Sequence, residues 1–135
     1  MKKILVLVTL MGLFINSYGQ EYITDNKFEE SINEKSSFGD DETSIIVIEF
    51  WAKFNEANSF SDWSKLKGVT HYYRVDIAKA PIAKKEYRVR MAPTLIIFKD
   101  GIKEVVFKAG LDLECPVDLD ELQEAIDELK KASQF

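Results

Sequence analysis

The stretch Ile45-Ile-Val-Ile-Glu-Phe-Trp-Ala-Lys-Phe54 decides the fold of this chain. From Ser44 to Trp51 the residues are almost continuously apolar and rich in β-branched side chains. A strand that is covered on both faces has this composition, whereas a strand with one wet face alternates between apolar and polar residues. The stretch therefore predicts a central strand that other elements cover on both sides.

Strand and helix signals alternate on both sides of this central strand. Upstream, residues 21–23 can form a short edge strand, and Thr24 or Asp25 can cap a helix that carries Phe28 and Ile32 on one face. Downstream, a short helix that ends before Gly68 is predicted from apolar residues at every third position: Phe54, Ala57, Phe60, Trp63 and Leu66. A strand over 71–77 and a short helix from Pro81 to about Tyr87 follow. The last predicted elements are a strand over 94–98, a tight hairpin at Asp100-Gly101 into 102–109, and a helix capped by Asp118. This order predicts an α/β domain with a mixed central sheet and helices on both faces.

Composition excludes several classes of function. The 135 residues include 18 Lys and Arg against 23 Asp and Glu, for a formal net charge of −5. An acidic chain of this kind has no bulk electrostatic reason to bind nucleic acid, so no nucleic-acid partner is predicted. One Cys and one His exclude an internal disulfide framework and a Cys/His zinc site. We predict no cofactor and no metal.

The first residues have the pattern of an export signal. Met1-Lys-Lys3 is positively charged, the run from Ile4 to Ile15 is apolar, and small residues stand at positions 17 and 19. We predict a signal peptide over 1–19 that is cleaved after Gly19, and a mature domain over 20–135 that is periplasmic or secreted. The apolar run is too short to cross a bilayer, so no membrane span is predicted after cleavage. An uncleaved N-terminal anchor is the alternative.

Three segments resemble the thioredoxin family. They are the central stretch 45–54, the segment from Val75-Asp-Ile77 through Tyr87-Arg-Val-Arg-Met-Ala-Pro-Thr94, and Phe98-Lys-Asp-Gly101 with Gly110 beyond it. With the last helix, the resemblance covers roughly residues 21–133. It implies a thioredoxin-like fold with a cis peptide bond before Pro93.

The chain departs from the family where the redox chemistry would stand. In the family, Trp-Ala-x-Trp is followed by Cys-Gly-Pro-Cys, whereas here Trp51-Ala-Lys-Phe54 is followed by Asn55-Glu-Ala-Asn58. Disulfide exchange needs a thiolate to attack and a second thiol to resolve the mixed disulfide, and asparagine supplies neither. We therefore predict no dithiol oxidoreductase activity and no catalytic residue. The segment between Asn58 and Asp76 is also shorter than in the family.

Other residues take their expected roles from the resemblance. Glu49 matches the family's buried carboxylate, with a pKa raised by burial, and is expected to be a structural remnant or the partner of a lysine such as Lys53. A pH-sensitive buried acid is the alternative. If the bond before Pro93 is cis, the backbone of Ala92 is expected to be free to pair with an extended peptide, with Trp51 and Phe54 beside that groove. The alternative is that Pro93 serves only the turn.

A cluster of positive charge follows the predicted second strand. Lys79, Lys84, Lys85, Arg88 and Arg90 are opposed within the segment only by Glu86. Lys84, Lys85, Arg88 and Arg90 form either a docking patch for an acidic partner or a solvated helix face.

Cys115 is the one thiol of the chain. Asp112 and Glu114 close to it disfavour the thiolate, so the sequence predicts a buried, inert or intermolecularly paired cysteine. His71, at the start of a strand, is expected to be structural or exposed.

These observations lead to one main functional prediction and two alternatives. The main one is an exported thioredoxin-domain protein that lacks the redox dithiol and binds an extended peptide or a protein in the cell envelope. The first alternative is a thiol–disulfide oxidoreductase with residual single-cysteine activity through Cys115. The second is a structural subunit of an envelope complex.

Overall fold

The computed structural model describes residues 21–35 and 43–132, so the predicted signal peptide lies outside the described residues. In that part of the chain the elements follow the order β1 (Glu21–Tyr22), α1 (Phe28–Ile32), β2 (Ile45–Trp51), β3 (His71–Asp76), α2 (Pro81–Glu86), β4 (Thr94–Lys99), β5 (Ile102–Lys108) and α3 (Leu119–Ala132). No helix among these is long and apolar enough to cross a membrane.

The five strands form one sheet in the order β1-β3-β2-β4-β5. Strands β1 and β2 both run parallel to β3, whereas β4 is antiparallel to β2 and β5 is antiparallel to β4. The predicted mixed sheet is therefore confirmed. Every residue of β2 except Trp51 is buried, as the apolar stretch predicted for a central strand.

Helices cover both faces of the sheet. Because side chains alternate along a strand, Ile46, Ile48 and Phe50 point to one face, and Ile45 and Val47 point to the other. The first set packs in one core cluster with residues of α1 and α2, including Phe28, Ile32 and Ala83. The second set packs in another cluster with Leu122 and Ile126 of α3.

The helix that was expected after β2 is absent as an α-helix, and this prediction was wrong. The described chain between β2 and β3 contains two short 3₁₀ segments, Lys53–Asn58 and Trp63–Lys65. A strict repeat of three residues matches the 3.0 residues per turn of a 3₁₀-helix rather than the 3.6 of an α-helix. Phe60 is buried while Phe54 is 80% exposed, so the repeat does not form one apolar stripe.

The predicted capping of the first helix was also wrong. The side chains of Thr24 and Asp25 make no capping hydrogen bond to the helix that follows them. Instead, the Asp25 carboxylate accepts hydrogen bonds from the backbone N–H groups of Ile82 (2.9 Å) and Ala83 (2.9 Å). Asp25 therefore supplies the N-terminal cap of α2, more than fifty residues away in the chain.

The hairpin and the last helix match their sequence signals. Asp100 (φ 51°) and Gly101 (φ 84°) both have positive φ, as the tight turn between β4 and β5 requires. The Asp118 carboxylate accepts a hydrogen bond of 2.8 Å from the backbone N–H of Glu121, which caps α3 as predicted.

Candidate functional site

The side chain of Asn55 connects three loops at the carboxyl end of β2. Its Nδ2 donates one hydrogen bond to the carbonyl of Ala92 (2.9 Å) and another to the carbonyl of Leu113 (2.8 Å). Its Oδ1 accepts a hydrogen bond from Nδ2 of Asn58 at 2.8 Å. The two asparagines thus form one small network that fixes the loop after β2 to the loops around residues 92 and 113.

This network determines which way the Asn55 amide points. Both of its N–H hydrogens meet carbonyl oxygens, so a flipped amide would place oxygen against oxygen. Leu113 has a φ of 58°, a conformation that is rare for leucine, and its carbonyl is one of the two that Asn55 holds. Asn55 therefore stabilises the local backbone and has no nucleophilic atom to offer.

The Ala92–Pro93 peptide bond is cis, as the resemblance implied. The carbonyls of the three consecutive residues from Met91 to Pro93 all accept hydrogen bonds within the chain: that of Met91 from the Thr94 hydroxyl (2.7 Å), that of Ala92 from Asn55, and that of Pro93 from the backbone N–H of Ala109 (3.2 Å). Ala92 is also buried. The expectation that the Ala92 backbone is free to pair with a peptide is therefore corrected for its carbonyl, which already accepts a hydrogen bond from the Asn55 amide.

Solved structures share this architecture. Thioredoxin f2 of Chlamydomonas reinhardtii has a TM-score of 0.59 at 12% identity, over 83% of this chain and 97% of that one. Thioredoxin of Malassezia sympodialis has a TM-score of 0.57 at 24% identity, over 82% of this chain and 90% of that one. This chain has the thioredoxin-like fold. At these identities, the likeness shows the fold alone.

The sequence comparisons are narrower. No protein-family model matches the chain. Among curated proteins, Thioredoxin-2 of Pyricularia oryzae is 40% identical over 64 residues, which cover 44% of this chain and 37% of that protein. The thioredoxin-like chain thus matches little more than a third of the length of this curated relative.

Trp51 and Phe54, which were expected beside a groove at Ala92, have different surroundings. The ring of Trp51 packs edge-on against Tyr22 of β1, at 5.7 Å between centroids, and the Arg74 guanidinium lies 5.1 Å from its centroid. Trp51 and Glu49 are two positions apart in β2, so their side chains lie on the same face of the sheet. Strand β3, which carries Arg74, pairs directly with β2. Phe54 instead stands out into solvent next to Asn55.

Glu49 is fully buried and belongs to a polar cluster on β2 and β3. Its carboxylate accepts hydrogen bonds from the Arg74 Nε (3.0 Å), the Tyr72 hydroxyl (2.8 Å) and the backbone N–H of Phe60 (3.0 Å). Its charged partner is therefore Arg74 rather than Lys53, and the lysine expectation was wrong. Burial raises the pKa of Glu49, and the Arg74 charge and the three hydrogen bonds offset that rise only in part.

Sequence reasoning missed Arg74. The residue is buried at 4% exposure and stands directly opposite Glu49 in the parallel register of β2 and β3. The signal that could have found it is an arginine inside an otherwise apolar strand, since such a residue needs a counter-charge. Without the strand register, however, the sequence does not identify that counter-charge.

Cys115 is half-buried and packs against the core beside α3. Its thiol donates to the carbonyl of Val117 at 3.3 Å. Burial is the main cause that raises the pKa of Cys115, and the Glu49 charge adds to it. The thiol is therefore less ionised than an ordinary cysteine at neutral pH.

The remaining predicted residues lie apart from the asparagine network. His71 is partly exposed and pairs with Glu34 at 3.0 Å. Lys84, Lys85, Arg88 and Arg90 are exposed on α2 and on the loop after it. Within residues 21–35 and 43–132, no three His, Cys, Asp or Glu side chains meet in a group that could hold a metal ion.

Proposed function

We propose that this thioredoxin-like domain is an exported, non-catalytic module that binds another protein. The observation that carries the proposal is the Asn55 amide, bonded to Asn58, Ala92 and Leu113 where the resemblance puts the redox site. Disulfide exchange requires a thiolate at that place. Two carboxamides bonded to each other and to the backbone support a structural role for this loop.

Two large apolar side chains mark the proposed binding surface. Phe54 is 80% exposed and Leu111 is 92% exposed. Phe54 precedes Asn55, and Leu111 lies two residues before Leu113, so the Asn55 hydrogen bonds join their loops. Exposed apolar residues on loops held in a fixed geometry favour protein contacts, since little order is lost on binding. Because the carbonyl of Ala92 is occupied, contact through these side chains is favoured over pairing of a peptide strand at Ala92.

The oxidoreductase alternative receives less support. The thiol of Cys115 is half-buried, donates to a carbonyl and has a raised pKa, all of which lower its reactivity. Export rests on the sequence of residues 1–19 alone. The intact mass of the protein from the envelope fraction tests it, with Gln20 as the expected first residue.

Site-specific crosslinking in the native envelope tests the binding surface. A photo-crosslinking residue is placed at Phe54, at Leu111 or, as a control, at Ile102, which is 64% exposed at the hairpin between β4 and β5. We expect the same adduct from positions 54 and 111 and none from position 102. Adducts only from position 102 would favour a structural subunit that docks elsewhere, and no adduct from position 54 or 111 would overturn the surface.

A further inference from the structure

Two shallow depressions adjoin on one side of the cis-proline loop. Their volumes are about 290 Å³ and about 430 Å³, and Arg88 and Arg90 line both of them. The residues that line the depressions include no Asp or Glu. The cations around them, called here the basic surface, are Lys84, Lys85, Arg88, Arg90 and Lys108.

Within the described residues, no ion pair neutralises the charge of the basic surface. Among residues 21–35 and 43–132, the side chains of Lys65, His71 and Arg74 lie within ion-pair distance of a carboxylate. In these ranges no cation of the basic surface does. Glu86 is the acidic residue of α2, and within the described residues it forms no ion pair with these cations. The concentration of positive charge is therefore available to a ligand, in a chain whose formal net charge is −5.

Arg88 occupies a backbone position that suits glycine better. Its φ is 54°, and it follows the C-terminal cap of α2. Its N–H bonds to the carbonyl of Lys85 (3.3 Å), and the N–H of Val89 bonds to that of Lys84 (2.9 Å), which together close the helix as a Schellman motif. Glycine adopts this conformation without steric penalty. An arginine at this position, where the two depressions meet, indicates that its guanidinium group has a role in binding.

We propose that the basic surface binds an acidic polypeptide segment, with clustered Asp and Glu side chains, on the partner that the proposed function assigns to this domain. Two adjoining depressions suit an extended chain better than a single ion. The walls of the depressions between the cations are apolar at Val89, Met91 and Ala109. The acidic net charge disfavours nucleic acids and anionic membranes, whose charge extends beyond the basic surface. Clustered cations of this kind add specificity and association rate.

Fluorescence anisotropy of the mature chain with a labelled peptide of alternating Glu and Ala tests the proposal. The Arg88→Gly/Arg90→Ala variant removes two charges while keeping a favourable backbone at position 88. The Lys67→Ala/Lys131→Ala control removes two charges near α3, on the opposite side of the sheet. We expect about tenfold weaker binding by the first variant and less than about twofold by the control. Added salt should weaken binding by the wild type.

A second variant, Lys84→Ala/Lys85→Ala, lies on exposed helix positions and should weaken binding in the same direction without touching residue 88. The proposal is overturned if a Gln-Ala peptide binds equally well, or if the control variant is weakened as much as the others. Stronger binding to phosphatidylserine vesicles, or binding only through self-association in sedimentation, would overturn it as well. If the wild type does not bind the peptide but crosslinks form from positions 54 and 111, this inference alone is refuted. If the wild type binds the peptide but no crosslink forms from either position, the proposed binding surface alone is refuted.

Discussion

The Nδ2 atom of Asn55 lies 2.9 Å from the carbonyl oxygen of Ala92, the residue before the cis proline. The same atom lies 2.8 Å from the carbonyl oxygen of Leu113. One neutral side chain therefore holds the two loops that face it. In this thioredoxin-like domain, neutral hydrogen bonds therefore fix the loops at the end of the central strand.

The Asn55→Ala variant should be less stable than the wild type by about 1–3 kcal/mol, because two backbone carbonyls lose their donor. The Asn58→Ala variant is the matched control, since it loses one side-chain contact, and a cost of about 1 kcal/mol or less is expected. Urea denaturation of the three proteins measures both values. Equal stability of Asn55→Ala and the wild type would show that the network does not hold the loops.

The buried pair of Glu49 and Arg74 should behave as a unit. Arg74→Met leaves the buried carboxylate without its counter-charge and should lower the free energy of unfolding by about 3–5 kcal/mol. The double variant Glu49→Gln/Arg74→Met should lose less than the sum of the two single variants. Chemical denaturation of all four proteins gives the coupling, and additive losses would contradict the pairing.

Stability should also depend on pH through Glu49. Its folded-state pKa is raised above the ordinary value of 4.5, so the folded state retains a proton that the unfolded state releases. The contribution of Glu49 to stability is then full at low pH and falls as pH rises from 4.5 through the folded-state pKa, by at most about 1.4 kcal/mol per pH unit. The free energy of unfolding of the wild type minus that of Glu49→Gln should shrink over this window. A difference that grows with pH would contradict the raised pKa.

Arg88→Gly should stabilise the domain by about 0.5–1 kcal/mol, because the backbone at φ 54° suits glycine. Lys85→Gly, three residues earlier and inside α2, should instead destabilise it by about the same amount. Thermal denaturation compares the two variants. A loss of stability in Arg88→Gly would mean that the arginine side chain supports the fold itself.

The sequence predicted the sheet well because its signals there are local. The apolar run of β2, the Asp100-Gly101 turn and the Asp118 cap each act within a few residues. The errors arose where the partner is distant in sequence: Asp25 caps α2, Arg74 pairs with Glu49, and Asn55 holds Ala92. Such contacts depend on the register of paired strands and on which loops the fold brings together. The repeat from Phe54 to Leu66 was misread because it crosses two separate 3₁₀ segments and the chain between them instead of following one helix.

Reduction of insulin disulfides by dithiothreitol, followed as turbidity with the purified mature chain, tests the central claim most directly. We predict a rate equal to the uncatalysed background for the wild type and for Cys115→Ser. The Asn55→Cys/Asn58→Cys variant, which restores two thiols beside the cis proline, is the positive control and should accelerate the reaction. Acceleration by the wild type, in a preparation free of contaminating reductases, would contradict the claim that this domain binds its partner without redox chemistry.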